Sequence, residues 1–456
     1  MSASSLLFAF ACGGAATVPD TAPVEATAET TPTEPSLDAR HGLNAGVVSF
    51  DVDGIDVIVK PTPANRIVSV TVFVNGGTAM NAPLGPGAVD LALHAMTSGG
   101  PASLDRATYQ AQLDAIGSSI SAVAGYDYDT FGMSSVAPAF DNTWALFVDV
   151  LRNPAFRAED VELEREQLIA SLVAEADDPD RALTQLGRQV IYAGHPYAVR
   201  PEGTPEALAE HAVESLQHAA QTLLSRNRLS IVVVGDVDPL DIEQRVRTAF
   251  GDLPAGVSRG FDVPEIVVES PMVEVTERAD LPTNYILGYF PTPGPGEPDY
   301  AASQLALALL SDRLFEEVRT RRNLSYAVSA GIGARRANVG YLYVTATDPA
   351  TTVDVMLDTV QALVDVPVDE AELNAQRAID LTQYYMSIEA NASLGGALGQ
   401  WELVGGGREN ADAHIAALQA VTPEDVVRVM DAYVRNIQWV VVGDPAEAPE
   451  ATFTAR

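Results

Sequence analysis

Residues 87–100, GAVDLALHAMTSGG, form a short apolar run that opens after the turn Gly85-Pro86-Gly87 and closes on Gly99-Gly100. Its apolar spacing predicts a helix. On that helix Asp90 and His94 stand one turn apart on the same face, with Leu93 beside them. A carboxylate and an imidazole at i, i+4 have the spacing of two metal ligands. They equally have the spacing of a hydrogen bond along a helix surface.

The stretch resembles the zinc helix of the insulinase/pitrilysin (inverzincin) metallopeptidases, whose signature is H-x-x-E-H. There two histidines hold Zn²⁺, and the glutamate between them is the base that activates water. On that pattern Asp90 stands at the first histidine, Leu93 at the glutamate, and His94 alone keeps the family residue. Leucine neither accepts a proton nor orients a water, so the resemblance implies the active-site helix of a bacterial non-catalytic member. The family's third ligand is the last glutamate of E-R-E-x-x-x-x-E on a later helix. Glu164-Arg165-Glu166 matches the start, and the ligand position falls on Ser171, whose neutral hydroxyl is a poor zinc ligand. Glu175, one turn further, reads as a solvent-facing acid. The frame around these losses is intact, with Pro154-x-Phe156 before the ligand helix and His195-Pro196-Tyr197 and Gly203-Thr204 after it. His195 reads as packing in a structural loop.

Working outward, 456 residues suffice for two domains of roughly 200 residues with full cores. The formal net charge is −35, and Lys60 is the only lysine. Nucleic-acid binding, which needs a basic patch, is thereby argued against. Such a surface keeps a protein soluble in salt, and it also attracts cationic peptides. Cys12 is the only cysteine, which excludes an intramolecular disulfide and a thiolate metal site. An apolar run ends in Ala9-Phe10-Ala11-Cys12, and residues 1–12 read as a lipoprotein signal that leaves Cys12 lipidated. No Lys or Arg precedes that run, and it is short. Residues 13–44, rich in Ala, Thr, Pro and Glu, read as a disordered tether. The two together imply a periplasm-facing lipoprotein of the bacterial cell envelope that meets a membrane only through its anchor. No stretch of 18 or more apolar residues follows.

From Val47 the pattern alternates strands and helices. SFDVDGIDVIVKP and RIVSVTVFVNGG read as paired strands. Helices are expected near 87–97, 104–116, 139–152, 159–176 and 207–224, strands near 118–124 and 129–136, and a strand at LSIVVVGDVD. This gives a first domain over 45–256, a linker over 257–270, a second domain over 271–446 and a tail over 447–456. The second domain echoes the first: MVEVTERA and NYILGYFP open it, a helix follows near 299–312, and Arg435-Asn436 before Gly443-Asp444 mirrors Arg226-Asn227 before Gly235-Asp236. Two copies of one unit is the economical reading. The fold class expected is α+β, two duplicated domains in a clamshell, each an antiparallel sheet with helices on one face. That duplication is also the family's architecture.

The resemblance further implies that the second domain supplies an Arg and a Tyr spaced R-x-x-x-x-x-x-Y. FEEVRTRRNLSYAVSA places Arg319 and Tyr326 at that spacing. A guanidinium can hold a substrate carbonyl and a phenol can donate to a developing oxyanion. Arginines in a last helical turn also suit the helix dipole without any such role. The expected function is a non-catalytic subunit that binds peptide and lends Arg319 and Tyr326 to a catalytic partner with an intact H-x-x-E-H. The zinc then sits in that partner, and this chain needs no cofactor of its own. The alternative is a scaffold or peptide-binding lipoprotein with no part in hydrolysis. A self-sufficient peptidase is set aside by the missing base.

Overall fold

A computed structural model describes residues 42–256, 261–278 and 280–455. The lipoprotein signal at Cys12, most of the tether, and with them the cell-envelope placement, lie outside the described residues. The first sheet holds β1 (Val48–Val52), β2 (Ile55–Pro61), β3 (Ile67–Asn75), β4 (Ser119–Val123), β5 (Tyr128–Val136) and β6 (Leu229–Gly235), in the order β1-β2-β6-β3-β5-β4. The second holds β7 (Met272–Glu277), β8 (Asn284–Pro291), β9 (Val328–Ile332), β10 (Val339–Ala346) and β11 (Gln438–Gly443), in the order β7-β11-β8-β10-β9. Without β1 the two orders are the same, so the α+β fold is a duplication.

Two features of the expected sheets are corrected. Neither sheet is purely antiparallel, because β2 lies parallel to β6 and β7 parallel to β11. Nor do helices cover one face alone. Each half buries one sheet face under its own helices and the other under a helix from the opposite half. The Asn391–Leu403 helix lays Leu394, Leu398 and Trp401 on Ile58, Phe73, Val232 and Val234 of the first sheet. In return the Pro179–Ile191 helix sets Leu183 against Leu287, Val440 and Val442 of the second. Strands β6 and β11 are buried at every position, as both-sided cover requires. The two halves are thus interlocked by exchanged helices.

Small residues permit that exchange. A Cβ on Gly399 would lie 2.2 Å from the Phe73 ring, whereas one on Gly396 would meet nothing within 4 Å. Gly399→Val is therefore expected to lower unfolding stability by about 1–3 kcal/mol through overpacking. Gly396→Ala is expected to leave it unchanged or raise it by about 0.5–1 kcal/mol through helix propensity. Urea unfolding of the two variants, read side by side, checks this.

The expected boundaries also move. The tether's last residues, 42–44, belong to the fold, since Leu43 is buried beside Trp401 and Asn44 donates to the Arg408 carbonyl at 2.7 Å. Lys60 pins them, donating to the carbonyls of Leu43 at 2.7 Å and Ala45 at 2.9 Å. The linker is no free segment in its described part: Val263, Ile266 and Val268 pack against a cluster containing Tyr126 and Tyr192. The tail is anchored as well, with Phe453 fully buried and Glu447 accepting from Asn284 at 2.7 Å. The helix expected over 207–224 is two, Pro205–Glu210 and Val213–Leu223.

Candidate functional site

The helix expected at 87–97 runs Ala88–Gly99. It starts from Gly87 at φ 76°, and a Cβ on Gly203 would lie 2.7 Å from the Gly87 backbone. Two glycine backbones touching there bring the 200–204 loop against the first turn. That contact delivers Arg200 and Glu202 to the neighbourhood of Asp90.

Asp90 is buried, and its carboxyl is pushed up to about 7. Burial is the main cause, Glu202 and Asp129 add to it, and Arg200 opposes it. Asp129 is itself held at about 6 by burial, against the hydrogen bonds it accepts from Asn81 at 2.8 Å and from the Gly125 amide at 3.1 Å. His94 Nε2 stands 3.9 Å from Asp90 Oδ1. Burial lowers the imidazole's affinity for a proton, and Glu164 works the other way. Burial thus disfavours the charged form of both side chains.

Leu93 is fully buried in the first core, where its helix packs on Ala158–Asp177 and Val213–Leu223. Ser171 is exposed. Glu175, read as a solvent-facing acid, is instead paired with Arg181 at 3.2 Å and with Arg200 at 3.0 Å. Glu164 is buried and held by Arg106 at 2.9 Å. These residues do not fit zinc, because one imidazole and one carboxyl stand without a third donor or a base. Among the described residues no group of three His, Cys, Asp or Glu side chains converges as a metal site. His195 packs: its Nδ1 accepts from the Tyr197 amide at 3.0 Å, and its ring tilts against Tyr192 and Tyr197.

Arg319 and Tyr326 come together elsewhere. The Tyr300–Leu314 helix runs on into a π-helical turn, Phe315–Arg321, and the chain reverses through Asn323 at φ 53° before β9. This turn stacks the Arg319 guanidinium 4.7 Å from the Phe315 ring and 5.8 Å from the Tyr326 ring. Tyr326 is 77% exposed and Phe315 45%. A cation held over aromatic faces is oriented without being neutralised by a carboxylate. The pair sits on the helical layer of the second sheet, whereas Asp90 and His94 sit on that of the first.

Sequence reasoning missed Arg200, Glu202 and Asp129, which set the charge around Asp90. The one local cue was Gly203, one residue past Glu202, whose need for close approach to Gly87 carries the loop in.

The descriptions of two family models match this chain: "Insulinase (Peptidase family M16)" over residues 56–198 and "Peptidase M16 inactive domain" over 212–379. An uncharacterized zinc protease of Mycobacterium tuberculosis is 26% identical over 386 residues, 82% of this chain and 87% of that protein. A Helicobacter pylori protein described as a non-peptidase homolog is 24% identical over 187 residues, 40% of this chain and 42% of its own. Among solved structures, a peptidase M16 inactive domain from Pseudomonas fluorescens is similar with a TM-score of 0.79 at 19% identity, covering 87% of this chain and 98% of that one. A protease from Helicobacter pylori is similar with a TM-score of 0.77 at 14% identity, covering 87% and 99%. The structural likenesses speak for the fold, and the two models together span more than half of the chain. The chain belongs to the insulinase family of peptidases, M16.

Proposed function

We propose that this chain is the non-catalytic subunit of an insulinase-like zinc metallopeptidase, binding peptide and supplying Arg319 and Tyr326 to a partner's zinc site. The observation that carries the reading is Leu93: the base position is held by a fully buried alkyl side chain. Ser171, exposed and neutral at the third ligand position, supports it. So does the Arg319–Tyr326 stack, an oriented cation and phenol open to a second molecule.

Alone, the purified chain is expected to hold no stoichiometric zinc after dialysis and to cleave no peptide. Elemental analysis and a peptide-library assay check this, and about one zinc per chain, or cleavage by the chain alone, overturns it. Mixed with an insulinase-like subunit that has H-x-x-E-H, it is expected to yield peptidase activity that neither shows separately. A complex that forms without gaining activity would leave the scaffold reading, binding without a part in hydrolysis.

A further inference from the structure

A second set of cations lies where the two halves meet, among residues that include neither Arg319 nor Tyr326 but share Glu202 with the surroundings of Asp90. A pocket of about 290 Å³ opens there, lined by Tyr126, Asp127, Arg188 and Glu202 from the first half and by Arg335 from the second. Arg335 sits 4.2 Å over the Tyr126 ring and Arg188 5.9 Å from the same ring. The two carboxylates in the pocket are already engaged. Asp127 accepts from the Tyr197 hydroxyl and has Arg336 Nε at 3.9 Å, while Glu202 accepts from Arg200 Nε at 3.1 Å. Among the described residues, neither Arg188 nor Arg335 forms an ion pair with a carboxylate. Arg335 has a hydrogen bond with Tyr192 and lies within electrostatic reach of Asp127, beyond ion-pair distance, and Arg188 lies by the Tyr126 ring and near Tyr289.

Guanidinium groups with unused donors, half-buried and stacked on an aromatic ring, are prepared for a planar anion. A carboxylate matches the guanidinium fork with two parallel hydrogen bonds. The tyrosines around it offer an apolar wall for the chain that bears the carboxylate, and the volume suits one or two residues. We infer that this pocket binds a carboxylate carried by a peptide, held by Arg188 and Arg335 with the adjoining residue laid on Tyr126. The inference draws on the proposed function only in taking a peptide as the carrier. Because its test uses this chain alone, failure here and failure of the mixed peptidase are separate results.

The probes are acetyl-Ala-Ala-Ala with a free C-terminus, the same peptide as its C-terminal amide, and acetyl-Ala-Glu-Ala amide. Inorganic phosphate is the fourth. Binding is followed by NMR titration to millimolar concentration on the full chain. The free acid, the glutamate peptide or both are expected to bind, and the neutral amide is not; which acid binds separates a chain terminus from a side chain. Arg188→Gln is expected to weaken the carboxylate about ten- to a hundred-fold, the loss of charged hydrogen bonds. Arg188→Lys, which keeps the charge and loses the fork, is expected to fall between. The melting temperature of each variant is read alongside to confirm folding. Equal binding of acid and amide, no carboxylate-specific binding, phosphate bound more tightly than either acid, or a folded Arg188→Gln with wild-type affinity overturns the proposal.

Discussion

In the mixed peptidase, Tyr326→Phe is expected to lower kcat about 10²–10³-fold, the usual effect of removing one oxyanion donor. The side chain is 77% exposed, so deleting its hydroxyl removes no packing and leaves the fold and the assembly intact. Arg319→Ala is expected to act on substrate binding, raising KM more than it lowers kcat. The stack adds a further expectation. Arg319 lies over the Tyr326 ring, so removing the guanidinium loosens the phenol, and the double variant should lose less than the product of the two single effects. Steady-state kinetics on a complex of verified stoichiometry decide it. If both variants assemble and match wild type, the shared site is wrong and the spacing is inherited packing.

Asp90→Asn is expected to stabilise the chain at pH 8 and to leave it unchanged at pH 4. Burial pushes the folded-state carboxyl up to about 7, against 3.8 for a free aspartate. Between these values the folded state holds a proton that the unfolded state has released, so rising pH favours unfolding. The penalty is absent below about pH 4, grows toward pH 7 and is complete above it. At 1.36 kcal/mol per pKa unit, the rise from 3.8 to about 7 amounts to about 4 kcal/mol. Asparagine has nearly the shape of the protonated acid and cannot ionise, so it removes this slope. Chemical denaturation of both proteins at several pH values reads the difference directly. Parallel stability curves would show that Asp90 is solvated and its neighbours Glu202 and Asp129 are remote in effect.

The positions that the resemblance singled out were legible in the sequence because they lie at fixed spacings along two helices. Asp90, Leu93, His94 and Ser171 needed no tertiary information to be placed. The charges that tune Asp90 were not legible, since Arg200, Glu202 and Asp129 arrive from a loop and a strand through backbone contacts. The duplication could be read from the paired endings at Arg226-Asn227 and Arg435-Asn436. The exchanged helices could not, although a cue was present: LSIVVVG and QWVVVG are apolar without alternation, the mark of strands covered on both faces. Which helix supplies the second cover is decided by residues far along the chain. The Asn391–Leu403 segment disguises itself with Gly395, Gly396 and Gly399, which weaken its helical propensity while one of them, Gly399, permits close approach to the sheet.

That exchange sets a timetable for synthesis. When β6 leaves the ribosome, the first sheet has all its strands, yet Phe73, Val232 and Val234 have nothing over them until the Asn391–Leu403 helix emerges. At roughly 5–20 residues per second, the intervening stretch of about 150 residues takes about 10–30 s to translate. For that interval a nascent chain carries a bare apolar sheet face, the kind of surface that chaperones bind and that aggregates nucleate on. The half bearing Asp90 and His94 is thus born incomplete, and its last layer is delivered by the half bearing Arg319 and Tyr326.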